Sequence, residues 1–399
     1  DALVEGTVFR AGDSVEIDAR IVDPTTEEYL WSASFAESVR NVESLHRGLT
    51  RAIARAIHAA LDTETEARLG RSSPVDPRAY DAYLKGVMHA QRFTPGELGT
   101  ALRYFEEALA IDSAYAPAHL GVARVWLFRA QAGYVSAREA RPHADSAVAR
   151  ARALGGSLGE EPMAATGAGM TAWADWRFEE AEAAFREAIE LNGQHPETRV
   201  FFGHLLTILG RWEEAGEQVE KAVALDPLNP FIQGLQGTQR YFVRRHDEAV
   251  RILEELFRVH PGAGFGRSSL WAAYRATGRP EEALRVVREA ARARDDRDVL
   301  AALDRGAREG GLQAALARAA DTMSARPAGN YASPFRIAVF HAAAGREERA
   351  TRWLERAYDA RNQNVPYIGV LPVFEELHYR PDFRSLARRV GVPLLDGRG

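Results

Sequence analysis

The chain contains no cysteine. Disulfides, thiolate metal centres and cysteine nucleophiles are thereby excluded, and several enzyme classes with them. The compartment stays open, because many exported proteins also lack cysteine. No apolar run approaches the roughly 18–20 residues that a bilayer-spanning helix needs, and no signal peptide opens the sequence. An excess of positive charge is missing too. The 399 residues carry 51 bases against 56 acids, a formal charge of -5 with a pI near 6.2, so no basic field marks nucleic acid as a partner. The 11 histidines are dispersed, without the close spacing of metal ligands. No Gly-x-Ser-x-Gly elbow with a histidine partner occurs. Nothing in this inventory calls for a catalytic residue, a metal or a cofactor.

What is present is a repeat. Length alone allows two to three domains or one elongated array, and the stretch from Arg177 to Arg292 points to the array. Ala181, Ala215, Ala249 and Ala283 each follow an acid pair and each lies 34 residues from the next. Four residues later come Phe185, Val219, Leu253 and Val287, and three after those Ala188, Ala222, Leu256 and Ala290. Twelve residues before each alanine stand Gly169, Gly203, Gly237 and Trp271, and two units close with Pro227 and Pro261. A constant period of this size means stacked helical hairpins, neither helix of which buries its apolar side alone. The acid pairs open the second helix of each unit, where the macrodipole stabilises carboxylates by about 0.3–1 kcal/mol; they are not general acid/base dyads. This phrase resembles the tetratricopeptide repeat (TPR). The resemblance implies a mainly α fold, a right-handed superhelix of helical hairpins with a concave wall lined by the first helix of each unit.

Upstream, residues 1–35 read as three strands. Apolar and charged residues alternate through Val15–Ile21, Ala11-Gly12-Asp13 supplies a hairpin turn, and Tyr29, Trp31, Ala33 and Phe35 are expected on the buried face of the third strand. Leu45, Leu49, Ile53, Ile57 and Leu61 then recur every four residues, a helix from about Val42 to Leu61. Residues 1–62 make a partial α+β domain with a marginal core, and a preceding segment is expected before Asp1. Residues 63–76 read as a linker, broken at Ser72-Ser73-Pro74. The array spans 77–294 and is regular over about 163–294. Its first hairpin uses Gly86, Ala101, Phe105 and Ala108, with Thr94-Pro95-Gly96 lengthening the turn; its second uses Leu120-Gly121, Ala144, Val148 and Ala151, before a 155–159 loop. Residues 295–328 form a degenerate pair turning at Gly310-Gly311. Residues 329–399 hold a last repeat (Ala338, Gly345, Ala350, Leu354, Ala357) and a capping helix with Phe383, Leu386 and Val390 on one face. About eight hairpins result. The wording of residues 1 to about 61, and of "SPFRIAVFHAAAGREERATRWLERAYDARNQNVPYIGV" and "PDFRSLARRVGV" at the other end, resembles a TolB-like amino-terminal domain followed by TPRs. That arrangement accompanies bacterial serine/threonine kinases, class III adenylate cyclases and winged-helix regulators.

Counting outward from each first-helix glycine, the groove-facing positions are Met170 and Trp173, then Val200, His204 and Thr207, then Thr238 and Tyr241, then Ser268 and Arg275. Aromatic and methionine side chains with a few polar ones suit peptide recognition; packing against neighbouring helices is the competing role for Met170, Trp173 and Tyr241. TPR domains that grip acidic tails carry Lys and Asn where this chain has Val200 and His204, or Gly234 and Thr238, so a two-carboxylate clamp is not expected. Gly262-Ala263-Gly264-Phe265-Gly266 follows a helix and lacks a downstream Lys-Ser/Thr, which makes it an inter-repeat turn and not a phosphate loop. The Arg380, Arg384, Arg388, Arg389 series reads as a solvated face. The expected function is non-catalytic binding of a protein or peptide, as the sensory or scaffolding region of a larger bacterial signalling protein. The alternative is a structural subunit that self-associates. What the resemblance implies for location is the cytoplasm or, in a membrane-anchored receptor, the far side of the membrane.

Overall fold

The computed structural model describes residues 3–12, 14–38, 42–56, 76–154, 160–327 and 330–394. The Ile57 and Leu61 end of the first helix, the Ser72-Ser73-Pro74 break and the 155–159 loop fall outside them. At the amino end, β1 (Leu3–Ala11), β2 (Ser14–Val22) and β3 (Tyr29–Ser38) form an antiparallel sheet in that order. Helix α1 (Val42–Ala56) packs on β2 and β3, and Ala19, Ile21, Leu45 and Ala54 close a small core. The expected inner face of β3 is only half covered: Trp31, Ala33 and Phe35 are half-buried, and Tyr29 is 63% exposed.

The rest is helical. α2 (Pro77–Ala90) pairs with α3 (Pro95–Ile111), α4 (Ala116–Gln131) with α5 (Ala137–Leu154), and α6 (Glu160–Ala174) with α7 (Phe178–Leu191). α8 (Pro196–Ile208) pairs with α9 (Trp212–Leu225), α10 (Pro230–Phe242) with α11 (His246–Val259), and α12 (Arg267–Ala276) with α13 (Pro280–Ala293). α14 (Arg297–Ser324) is two arms broken at Gly310-Gly311, where Gly311 takes a φ of 65°. α15 (Pro334–Ala343) and α16 (Glu347–Asp359) close the series. Many of these helices open on proline, whose missing N–H costs nothing there, and Asp76, Thr94, Asn229 and Ser333 cap their first turns through side-chain oxygens. Thr94-Pro95-Gly96 therefore starts α3 and adds helix at its front; it does not lengthen the turn.

The period has a packing cause. A Cβ added to Gly169, Gly203 or Gly237 would lie 2.8, 2.8 or 2.5 Å from Phe185, Val219 or Leu253, so only glycine lets the two helices of a hairpin approach this closely. A second period appears in the turns. Trp176, Gly210, Arg244 and Gly278, 34 residues apart, take φ values of 64°, 77°, 65° and 71°. Each is followed by the arginine that begins the second helix, Arg177, Arg211, Arg245 or Arg279. Each pairs with an acid of its own helix start, and two also reach the preceding unit: Arg211 pairs with Glu214 and Glu182, and Arg279 with Glu282 and Glu254.

Beyond α16 the chain reverses. Two 3-10 segments, Val365–Gly369 and Pro372–Tyr379, lead into α17 (Pro381–Val390). Phe383, Leu386 and Val390 share one face as the spacing predicts, and that face is buried. The array also touches itself across its axis. The Phe265 ring lies 4.8 Å from Phe93, a Cβ on Gly133 would sit 2.8 Å from the Ser333 Cβ, and Arg294 Nη2 donates to the Ala132 carbonyl at 2.9 Å.

Ala215 has no exposure, whereas a Cβ at neighbouring Gly216 meets nothing within 4 Å. Ala215→Leu is expected to lower stability by about 1–3 kcal/mol through overpacking, read as a reduced urea midpoint. Gly216→Ala is expected to raise it, by about 1 kcal/mol of helix propensity.

Candidate binding face

The wall formed by the first helix of each hairpin carries most of the sequence-derived candidates, and the carboxy-terminal segment lies against it. Gln363 Nε2 donates to the Leu127 carbonyl and Asn364 Nδ2 to the Gln131 carbonyl, both at 2.8 Å. The Tyr367 ring stands 6.0 Å from Trp173 and 5.4 Å from Phe242. Val365 and Ile368 have no exposure. The chain's own residues thus occupy part of the wall.

The candidates separate accordingly. Val200, His204, Thr207, Thr238 and Tyr241 are buried. Thr207 and Thr238 spend their hydroxyls on the carbonyls of Gly203 and Gly234, one turn back in their own helices, at 2.8 Å. His204 Nε2 donates to the Leu235 carbonyl of the next wall helix at 2.9 Å. Ser268 and Arg275 are exposed on α12. Met170 and Trp173 line an opening.

That opening is a pair of adjoining recesses. One is a shallow recess of about 40 Å³, open to solvent, between Leu127, Met170, Trp173, Phe201, Phe265 and Tyr367, with Gln131 and Gln363 at its edge. The other, about 50 Å³, extends over Tyr83, Leu120, Leu127, Met163, Met170 and Phe201. Its polar border holds the Arg124–Glu197 ion pair, at 3.1 Å, and His195, whose imidazole burial pushes down. Leu127, Met170 and Phe201 are common to both, which makes a continuous apolar floor. Leu127, Phe201, Phe265 and Tyr367 escape sequence reasoning: three lie off the positions counted from the repeat glycines, and Tyr367 lies in a 3-10 run with neither a 3.6 nor a 2.0 period.

The left-handed turn positions bear on the same segment. Glycine fills two of the four, and the non-glycine residues at the others reach the returning chain. The Trp176 ring lies 5.3 Å from Tyr358, with the Arg361 guanidinium 4.8 Å from its centre. Arg244 pairs with Glu375 and donates from Nη1 to the Val370 carbonyl at 2.6 Å. A side chain in this backbone region costs about 1 kcal/mol or more, and here the cost is offset by contacts that fix residues 358–375. Arg244→Gly relieves the strain and removes the anchor. It is expected to speed amide exchange in Val365–Tyr379 at least tenfold while leaving α9 and α11 unchanged, as hydrogen-exchange mass spectrometry would register.

Burial pushes the His204 imidazole down to about 4, so the folded chain holds it neutral. A histidine of this kind contributes fully above its unfolded value near 6.5, and the contribution fades as pH falls from 6.5 toward 4. His341 shifts in the same direction, also to about 4, through burial. Urea midpoints are expected to drop across this window, and His204→Gln, which keeps a donor for Leu235, should flatten the drop by up to about 3 kcal/mol.

Among the described residues no group of His, Cys, Asp and Glu is placed to hold a metal, and no helix is long and apolar enough to cross a membrane. No protein-family profile matches the chain. It is 28% identical over 125 residues to a Rhizobium meliloti protein named "Putative adenylate cyclase 3", a match covering 31% of this chain and 21% of that protein's length. Among solved structures it is similar to a thermophilic TPR protein of Thermus thermophilus, at 20% identity and a TM-score of 0.35, over 46% of this chain and 92% of the other. It is also similar to a tetratricopeptide repeat protein of Parabacteroides merdae, at 13% identity and a TM-score of 0.33, over 79% and 100% of the two chains.

Proposed function

We propose that this chain is a non-catalytic protein-binding module whose docking site is the recess pair around Met170, and that it serves as the regulatory region of a larger bacterial signalling protein. The observation carrying the first part is the continuous floor of Leu127, Met170 and Phe201 with hydrogen-bonding groups at its border. Aromatic and methionine surfaces adapt to apolar side chains of a partner, and Gln131, Gln363 and the Arg124–Glu197 pair offer donors and acceptors to its backbone. A short peptide segment with one or two bulky apolar residues fits this description. Supporting the second part are the match to the cyclase-named protein and the wording at both ends of the chain, which resembles the TolB-like and TPR arrangement.

Met170 is half-buried and common to both recesses. Met170→Glu places a charge on the floor and is expected to weaken capture of cognate partners at least tenfold, measured by quantitative affinity capture against the unmodified chain. Ser268→Asp, at an exposed position of α12 that lines neither recess, should have no effect. Equal capture by the Met170→Glu chain would overturn the docking site.

Self-association is the second reading, and β1 favours it. Among the described residues this edge strand is exposed along its length, with Leu3, Val4, Val8 and Phe9 at 51, 50, 67 and 63%. Open edges of this kind pair readily with another strand. Light scattering is expected to show a mass rising with concentration, and Val8→Lys should abolish the rise; a monomer at all concentrations ends this reading.

A further inference from the structure

The recess that extends over Tyr83 and Leu120 has a polar corner assembled from three wall helices. Tyr83 of α2, Arg124 of α4 and His195, which caps α8, all line it. Each side chain is held in place. The Tyr83 ring packs against Phe105 and Tyr115, with ring centres 5.8 and 5.4 Å away. Arg124 Nη1 donates to both carboxylate oxygens of Glu197, at 3.1 and 3.5 Å. His195 Nδ1 accepts from the Thr198 N–H at 3.3 Å, which makes it the cap, and lies 2.7 Å from the Thr198 hydroxyl.

The cap decides which imidazole nitrogen carries the proton. Two N–H groups cannot point into one gap, so Nδ1, facing a backbone N–H, is the bare nitrogen, and the neutral ring carries its proton on Nε2. Burial favours that neutral ring. Among the described residues the Nε2–H has no acceptor, and neither the Tyr83 hydroxyl nor Arg124 Nη2 has a hydrogen-bond partner. All three residues are half-buried, yet none of these three atoms is sealed from solvent. The corner thus offers two N–H donors and one hydroxyl beside the apolar floor of Leu127, Met170 and Phe201. It has no charge to spare, because Glu197 offsets Arg124 and the imidazole is neutral. A carboxylate or phosphate would find no uncompensated cation here and would meet Glu197. A neutral amide finds donors for its carbonyl and, in the Tyr83 oxygen, an acceptor for its N–H.

Given the docking site proposed above, we infer that this corner grips one main-chain peptide group of the partner, His195 Nε2 donating to its carbonyl and the Tyr83 hydroxyl accepting from its N–H. The apolar side chain next to that peptide group rests on the floor. His195 and Tyr83 therefore set the register and the direction of the bound chain, and the floor sets only the size of the side chain it takes.

The test is a titration of the whole chain, its methionine methyls labelled with 13C, with N-acetyl-leucine N-methylamide, one apolar side chain flanked by peptide groups. Saturating shifts of the Met170 methyl, assigned by its loss in Met170→Leu, give the dissociation constant. His195→Asn keeps a cap for α8 and removes the donor; Tyr83→Phe removes only the hydroxyl. Each is expected to weaken binding about fivefold, the size of one lost hydrogen bond. A Met170 methyl that does not move ends the docking site and this inference with it. Binding of equal strength by both variants overturns the inference and leaves the docking site standing. A further readout needs no ligand: long-range 1H–15N spectra at neutral pH are expected to show His195 with Nδ1 bare and Nε2 protonated, in signals absent from His195→Asn. The opposite tautomer refutes the donor.

Discussion

A helical hairpin cannot cover both of its sides, and the architecture of this chain follows from that shortfall. Each hairpin buries one side against its neighbour, which demands glycine where Phe185, Val219 and Leu253 press on the facing helix. The inner wall remains. In an open superhelix it faces water; here the chain supplies part of the cover itself, with Val365, Ile368 and Phe374 wholly buried and Tyr367 set between Trp173 and Phe242. What is left uncovered is the recess pair, and its floor owes its shape to where the returning segment stops.

Charge follows the same stacking. The arginine at the start of each second helix is a poor choice by the macrodipole, yet its planar fork holds one or two acids there. Arg211 joins Glu182 of one unit to Glu214 of the next, and Arg346 joins Asp321 across another seam. Most of these pairs are partly exposed, so each adds little stability; their value lies in fixing the angle between neighbouring hairpins.

The array was legible because close packing writes itself into sequence at fixed intervals. Ala181, Ala215, Ala249 and Ala283 are fully buried, as alanines forced by contact must be. Capping was legible where a proline follows a capping residue, but Thr94-Pro95-Gly96 showed that the same letters serve a turn or a helix start. The inner wall was less so. Periodicity tells which side of a helix points inward and not whether another segment will arrive there, so half-buried Met170 lines the opening beside Trp173, which is buried like Val200, His204 and Tyr241. The arriving segment carries no period of its own. Its sequence, Asn364 through Gly369, has turn formers and bulky residues mixed, and only the fold reveals which partners they meet. β3 shows the reverse: its alternation was plain, yet Tyr29 stays largely exposed, with the Arg20 guanidinium 5.3 Å from its ring centre.

The closure across the axis changes how this array is made. Repeat proteins with contacts only between neighbours fold in short local steps. Here Gln363 and Asn364 bond to carbonyls of α4, more than two hundred positions earlier. During synthesis the early hairpins emerge with their inner wall bare and wait for residues 361–394 to leave the ribosome. The inner wall of the early hairpins is thus completed only by the last part of the chain to be made.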